Sequence, residues 1–215
     1  MALTLYVGSK RYSSWSLRPY LALSHAGAAF ETRTILLDWP TSATEIAKVS
    51  PTGRVPVLFD GDLAIWDSLA ICEHAAELFP EARLWPEDRA RRARARSLAA
   101  EMHSGFGAMR RAMPMELDAR KPVRDLSPEA MVEVAADVRR VQAIWREALD
   151  ASGGPFLFGA FTVADAMYAP VTTRFSTYSI EIDAASRAYV EAIAALPAMQ
   201  QWHADAAREP RPPGA

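Results

Sequence analysis

The stretch at residues 50–68, SPTGRVPVLFDGDLAIWDS, limits the possible folds of this chain more than any other segment. It reads as an apolar strand broken by a proline, a tight Asp60-Gly61 turn, a second apolar strand, and then Asp67-Ser68 opening an amphipathic segment. Asp-Gly between apolar runs is a strong two-residue hairpin signal, so residues 55–59 and 63–66 are expected to pair. Pro56 sits between two valines inside that pattern. A proline in a strand forfeits a backbone donor and belongs on an edge or at a bulge. The alternatives are an edge-strand proline or a cis Val55-Pro56 bond that turns neighbouring backbone groups away from the ladder. Only about 5–6% of X-Pro bonds in folded proteins are cis, so the residues around Pro56 must make that case.

Those residues complete a small α/β unit. Residues 3–7 alternate as a short strand, 17–25 have helical spacing closed by Gly27, 31–37 are rich in β-branched side chains, and 41–49 form a weak helix or irregular segment. After the hairpin, residues 68–78 are helical, with Leu69, Cys72 and Ala76 on one face. The order β-α-β-(α)-β-β-α over residues 1–80 predicts mixed parallel and antiparallel pairing. Residues 81–88 read as a linker. Beyond it the pattern is helical almost throughout, predicting an all-helical domain over 89–208. One long helix is expected at 89–113. A second, at 127–149, has Ser127 as N-cap, Pro128 and Glu129 in its first turn, and Gly153-Gly154-Pro155 as its stop. A third opens at Thr162 with capping-box spacing to Asp165, and segments 183–196 and 197–207 follow. The proline-rich tail, 209–215, is expected to be unstructured.

Composition excludes several classes of function. Across 215 residues, 24 Lys and Arg stand against 26 Asp and Glu, so nothing favours a polyanion partner. The run Arg89, Arg91, Arg92, Arg94 and Arg96 is flanked by Glu87, Asp88 and Glu101 and reads as a solvated helix face. No apolar run approaches the ~18 residues of a membrane helix. The first residues, MALTLYVG, lack the positive region of a signal peptide, and the single Cys72 permits no internal disulfide. A cytoplasmic location is expected. His25, His74, His103 and His203 lack metal-ligand spacing, and no metal is expected.

A small βαβ-ββα domain followed by a helical domain resembles the layout of the cytosolic glutathione transferases. VPVLFDGDLAIWDS is similar to the family's cis-proline hairpin and acid-serine pair. GPFLFGAFTVADA resembles its buried capping box, and RYSSWSLRPYLAL the serine motif of its zeta-like classes. AEMHSGFGAMR is similar to bacterial members, and the resemblance covers residues 1–205. It implies a thioredoxin-like N-terminal domain that binds glutathione, a helical domain that presents an electrophile, and a homodimer. The implied glutathione-binding residues are Trp15, Arg54, Val55, Pro56, Asp67 and Ser68. The backbone of Val55 beside a cis Pro56 would pair with the peptide like a short added strand. Ser68 at a helix start would take the γ-glutamyl carboxylate, leaving Asp67 for the ammonium group, although both also read as simple helix caps. Ser13 is implied as the donor to the thiolate and Ser14 as an auxiliary. Trp15 stands where zeta enzymes carry cysteine.

The chemistry rests on where the first helix begins. Pro19 places that start close by, because proline is tolerated in a first turn. Ser13, Ser14 and Ser16 then lie at or just before the helix N-terminus, as caps or as thiolate donors. A thiol near pKa ~8.5 must fall by about 2 units, roughly 2.7 kcal/mol, to be mostly ionised at neutral pH. A helix dipole supplies about 0.3–1 kcal/mol and a hydrogen bond to a charged group about 1.5–3 kcal/mol, so the hydroxyl is the main contributor.

In the helical domain, Met102, His103, Phe106 and Met109 fall at helical spacing and read either as core or as the lining of a second-substrate pocket. The resemblance implies Arg174 as an anchor for an acidic substrate, with a surface salt bridge as the alternative. Cys72 reads as an inert core thiol. Three functions remain in contention: a glutathione transferase, a glutathione-dependent cis-trans isomerase of the maleylacetoacetate type, and a non-catalytic binding module on the same fold.

Overall fold

The computed structural model describes residues 2–213, so Gly214 and Ala215 of the expected tail lie outside the described residues. In chain order, β1 is Leu3–Gly8, α1 Ser14–His25, β2 Phe30–Ile35, α2 Ser42–Ala47, β3 Val57–Asp60, β4 Leu63–Trp66 and α3 Ser68–Leu78. Then follow α4 Arg89–Ser104, α5 Gly107–Ala112, α6 Pro128–Ser152, α7 Val163–Thr177, α8 Ala184–Ala194 and α9 Pro197–Arg208. The chain divides into two compact units. One holds the residues up to Leu84 together with those from Pro197 onward, and the other spans Trp85–Leu196. The helix α9, grouped by sequence with residues 89–208, therefore packs with the first unit, against α1.

The first unit carries a four-stranded sheet in the order β2-β1-β3-β4. β1 runs parallel to β2 and antiparallel to β3, and β3 is antiparallel to β4. Leu5, Val7, Val57 and Leu58 are buried with Leu17 and Leu21 of α1 and with Ile71 and Ala75 of α3. The hairpin forms with two adjustments. β3 begins at Val57, after a cis Val55-Pro56 bond, and is flanked by strands on both sides, so Pro56 does not lie in an edge strand. Asp60 pairs with Leu63, so the turn residues are Gly61 and Asp62, one position later than expected. Gly61 has φ 60°, the left-handed first turn position that a tight hairpin gives to glycine. The first helix also begins earlier than Pro19 suggests. Pro19 is the sixth residue of α1, inside the helix rather than in its first turn.

In the second unit the expected helix at 89–113 is two helices. Phe106 takes a left-handed conformation, φ 59°, between α4 and α5. A side chain on Gly105 would meet the Glu101 carbonyl oxygen at 2.8 Å, so the break needs glycine there. The Arg110 guanidinium donates to the carbonyls of Met102 and, at 3.2 Å, His103, satisfying the last turn of α4. The α6 cap is as expected: Ser127 accepts from the Ala130 N–H at 3.2 Å, and Gly153, φ 78°, ends the helix. The core gathers Trp145, Phe175 and Tyr189, with Trp145 5.1 Å from each of the other two rings. Members of the arginine run tie down their surroundings, Arg91 donating to the Phe158 carbonyl at 2.6 Å and Arg94 pairing with Glu147.

Candidate functional site

Strand register brings three sequence-distant segments to one end of the sheet. Tyr6 lies opposite Val57, and Val57 opposite Trp66. The chain therefore leaves β1 toward Ser13, enters β3 from Val55 and Pro56, and leaves β4 toward Asp67 and Ser68, all at the same edge. Two helices start there, α1 and α3, and each directs the positive end of its dipole and its free N–H groups to that edge.

Ser13 is the N-cap residue of α1 and Ser14 its first helical residue. Both are nearly buried. The Ser13 hydroxyl donates to Ser16 Oγ at 2.7 Å, and Ser16 Oγ also accepts the Gly8 N–H at 3.1 Å. Ser16 is fully buried. Ser16 thus holds the Ser13 hydroxyl in one orientation at the helix start. Sequence reading placed Ser16 at the helix start without giving it a role. The signal was its spacing of three residues from the cap. Gly8 matters for the same reason: a Cβ there would lie 2.7 Å from Leu37 Cδ1 and 3.0 Å from Ser13 Oγ.

At α3, Asp67 is the N-cap, accepting from the N–H groups of Leu69 at 2.8 Å and Ala70 at 3.4 Å, with φ 76°. That positive φ is uncommon for a non-glycine residue, and such strain tends to collect at functional sites. Ser68 is 1% exposed and its Oγ has no hydrogen-bond partner. Val55 is partly exposed beside the buried Pro56, Arg54 is exposed, and Trp15 is stacked under the Arg18 guanidinium at 4.2 Å. Cys72 is wholly buried in α3. Burial pushes its thiol far above the usual range, and the nearby Arg18 charge offsets only part of that.

The residues nominated in the helical unit sit deep. Met102 and Met109 are fully buried and Phe106 nearly so, which is how core residues pack, and the helix break at Gly105-Phe106 removes the continuous stripe they were expected to form. His103 is partly exposed at the end of α4. Arg174 is 4% exposed, so the surface salt bridge is not its role. Its Nε donates to the Met113 carbonyl at 2.9 Å and Nη1 to Pro170 at 3.3 Å, tying the segment after α5 to α7. Burial, and then the neighbouring Arg110, lower the Arg174 guanidinium to about 10. The capping box forms: Asp165 accepts from the N–H groups of Thr162 at 2.8 Å and Leu157 at 3.0 Å. Burial pushes this carboxyl up to about 6 despite those hydrogen bonds. Among the described residues no cluster of His, Cys, Asp and Glu is arranged to hold a metal ion, and no helix is long and apolar enough to cross a membrane.

A mixed four-stranded sheet with two helix starts at one edge, followed by a helical unit, defines a thioredoxin-like domain joined to an all-helical domain. The chain belongs to the glutathione S-transferase family: residues 12–78 match its N-terminal domain and 89–205 its C-terminal domain. Glutathione S-transferase 1 of Dianthus caryophyllus is 40% identical over 90 residues, 41% of this chain and 40% of that protein, so the match spans about two-fifths of that curated relative. A Burkholderia glutathione transferase homolog solved with bound glutathione superposes with a TM-score of 0.73 at 25% identity, covering 96% of this chain and 98% of the other. The maleylacetoacetate isomerase of Anaeromyxobacter dehalogenans does so with a TM-score of 0.71 at 27% identity, covering 99% and 96%.

Proposed function

We propose that this protein is a serine-type, zeta-like glutathione transferase that ionises the glutathione thiol and delivers the thiolate to a small electrophile. The observation that carries this reading is the Ser68 hydroxyl, buried and without a partner at the start of α3. An unpaired buried hydroxyl costs about 1–3 kcal/mol, and a carboxylate bound at that helix start removes the cost while meeting the dipole. The γ-glutamyl group of glutathione is such a carboxylate, and the backbone at Val55 would pair with its cysteinyl part. The thiol then lies toward the start of α1. There the Ser13 hydroxyl, released from Ser16, donates to the sulfur, and the proton leaves to solvent. The thiolate attacks the electrophile. In substitution a leaving group departs with the electron pair; in addition a proton is taken up at the neighbouring atom.

Titrating the protein with glutathione while following ultraviolet thiolate absorbance tests the reading. A thiolate band at neutral pH is expected. Absence of binding overturns the proposal, and binding without thiolate leaves a non-catalytic module.

The likeness to a maleylacetoacetate isomerase favours a second reading, in which glutathione adds to a cis double bond, permits rotation and leaves unchanged. Absence of maleylacetoacetate turnover removes it. We further propose a cytoplasmic homodimer. Leu63 and Trp66, 56% and 46% exposed on the edge strand β4, supply apolar surface for a second copy. Light scattering on Trp66→Asp checks this, with a shift to monomer expected.

A further inference from the structure

Residues 10 and 11, in the loop between β1 and Ser13, are a lysine and an arginine that are each only 7% exposed. Their partners come from positions 192 to 199 residues later. The Lys10 N–H donates to Glu209 Oε1 at 3.0 Å, and the Arg11 N–H reaches the other oxygen of the same carboxylate at 3.5 Å. The Lys10 carbonyl accepts Trp202 Nε1–H at 2.8 Å, and Arg11 Nη2 donates to the Ala206 carbonyl at 3.0 Å. The Lys10 ammonium pairs with Asp205 and sits over the rings of Tyr20 and Trp202, 5.6 and 5.5 Å from their centroids. All of these residues belong to the first unit.

We infer that Glu209, just beyond the last turn of α9, is a positioning residue for thiol activation: it fixes the backbone of the loop that presents the Ser13 hydroxyl. The loop transmits the constraint because it is a single tight turn. The N–H groups of Tyr12 and Ser13 both donate to the Ser9 carbonyl, at 3.0 and 2.8 Å, and Ser9 Oγ accepts the Leu37 N–H at 2.7 Å. One carboxylate spanning two successive N–H groups of that turn sets its orientation, and Ser13 follows two residues on. Burial pushes the Glu209 carboxyl above its ordinary range, and the Lys10 and Arg11 N–H groups offset part of that cost. Glu209 falls at the start of the segment expected to be an unstructured tail.

The inference rests on the glutathione reading, and the test separates the two. In the full-length protein, Glu209→Ala is expected to raise the pKa of bound glutathione by a large fraction of the roughly 1–2 units attributable to the Ser13 hydrogen bond. It should lower kcat while leaving KM for glutathione nearly unchanged. Glu209→Gln, which keeps one oxygen for the Lys10 N–H, should recover part of the shift. Amide hydrogen exchange at Lys10 and Arg11 should accelerate in Glu209→Ala, with global stability to urea followed in parallel. Faster exchange with an unchanged thiol pKa would make Glu209 a structural tie and overturn the inference, as would unchanged exchange. A wild-type protein that forms no thiolate would overturn the glutathione reading instead, whatever the exchange result. Should the alanine variant fail to fold, the glutamine variant carries both measurements.

Discussion

Three serines within four residues share a helix start, and their hydroxyls are not equivalent. Ser13 is the cap, Ser14 the first helical residue, and Ser16 the buried acceptor of both the Ser13 O–H and the Gly8 N–H. Ser13→Ala is expected to raise the bound thiol's pKa by about 1–2 units, the equivalent of a hydrogen bond of about 1.5–3 kcal/mol to a charged group. Ser16→Ala should raise it by less, by removing the partner that orients the Ser13 hydroxyl, and should also leave the Gly8 N–H unsatisfied. If only Ser14→Ala shifts the titration, Ser13 is not the donor. Gly8→Ala should mimic Ser13→Ala in part, because its methyl group would press on the Ser13 hydroxyl. The thiolate titration measures all four. The placement of Ser13 was legible from Pro19, although the helix starts further upstream than that proline implied. The burial of Lys10 and Arg11 was not legible. Nothing in the local pattern SKRY marks a lysine and an arginine as interior when the groups that neutralise them lie at the other end of the chain.

At the level of elements, short-range chemistry decided which boundaries were readable. The span of α3 and the caps of α6 and α7 follow from Asp67, Ser127 and Thr162, whose side-chain geometry acts within three residues. The α4–α5 break was missed because its cause is a close backbone approach at Gly105 and a left-handed Phe106, neither of which disturbs helical periodicity. The capping box of α7 has a further consequence. Asp165 has an ordinary carboxyl pKa of 3.8 when unfolded and about 6 when folded, so between those values the native state binds more protons. Its contribution to stability is therefore full below the unfolded value and lost as pH rises through the folded one. Urea unfolding from pH 4 to 7 should show this component of the slope in the wild type and not in Asp165→Asn. The asparagine variant, with one acceptor oxygen for two N–H groups, should also be less stable by about 1 kcal/mol or more.

Across the whole molecule, the layout of a mixed sheet unit and a helical unit was readable from motif order, because the serine, hairpin and capping-box motifs each lead into a separate helix start. The placement of α9 was not readable, since its amphipathic pattern records only that one face is covered and not which unit covers it. The lone thiol gives a probe of the intact fold. Cys72 is wholly buried with its ionisation strongly suppressed, so a thiol-specific chromogenic reagent should label it only as fast as the first unit opens. Rapid labelling of the native protein would show that α3 frays locally.

The return of α9 to the first unit also gives that unit an unusual order of synthesis. A ribosome finishes every strand of the sheet and every proposed glutathione contact before it begins residues 85–196, and at about 5–20 residues per second the covering segment follows on the order of ten seconds later. Throughout that interval the face of Tyr20 that will meet Trp202, whose ring lies 4.9 Å away in the finished fold, is open to solvent and to other nascent chains. A product truncated before Pro197 keeps the serine, hairpin and capping-box motifs and still leaves this face of the first unit uncovered.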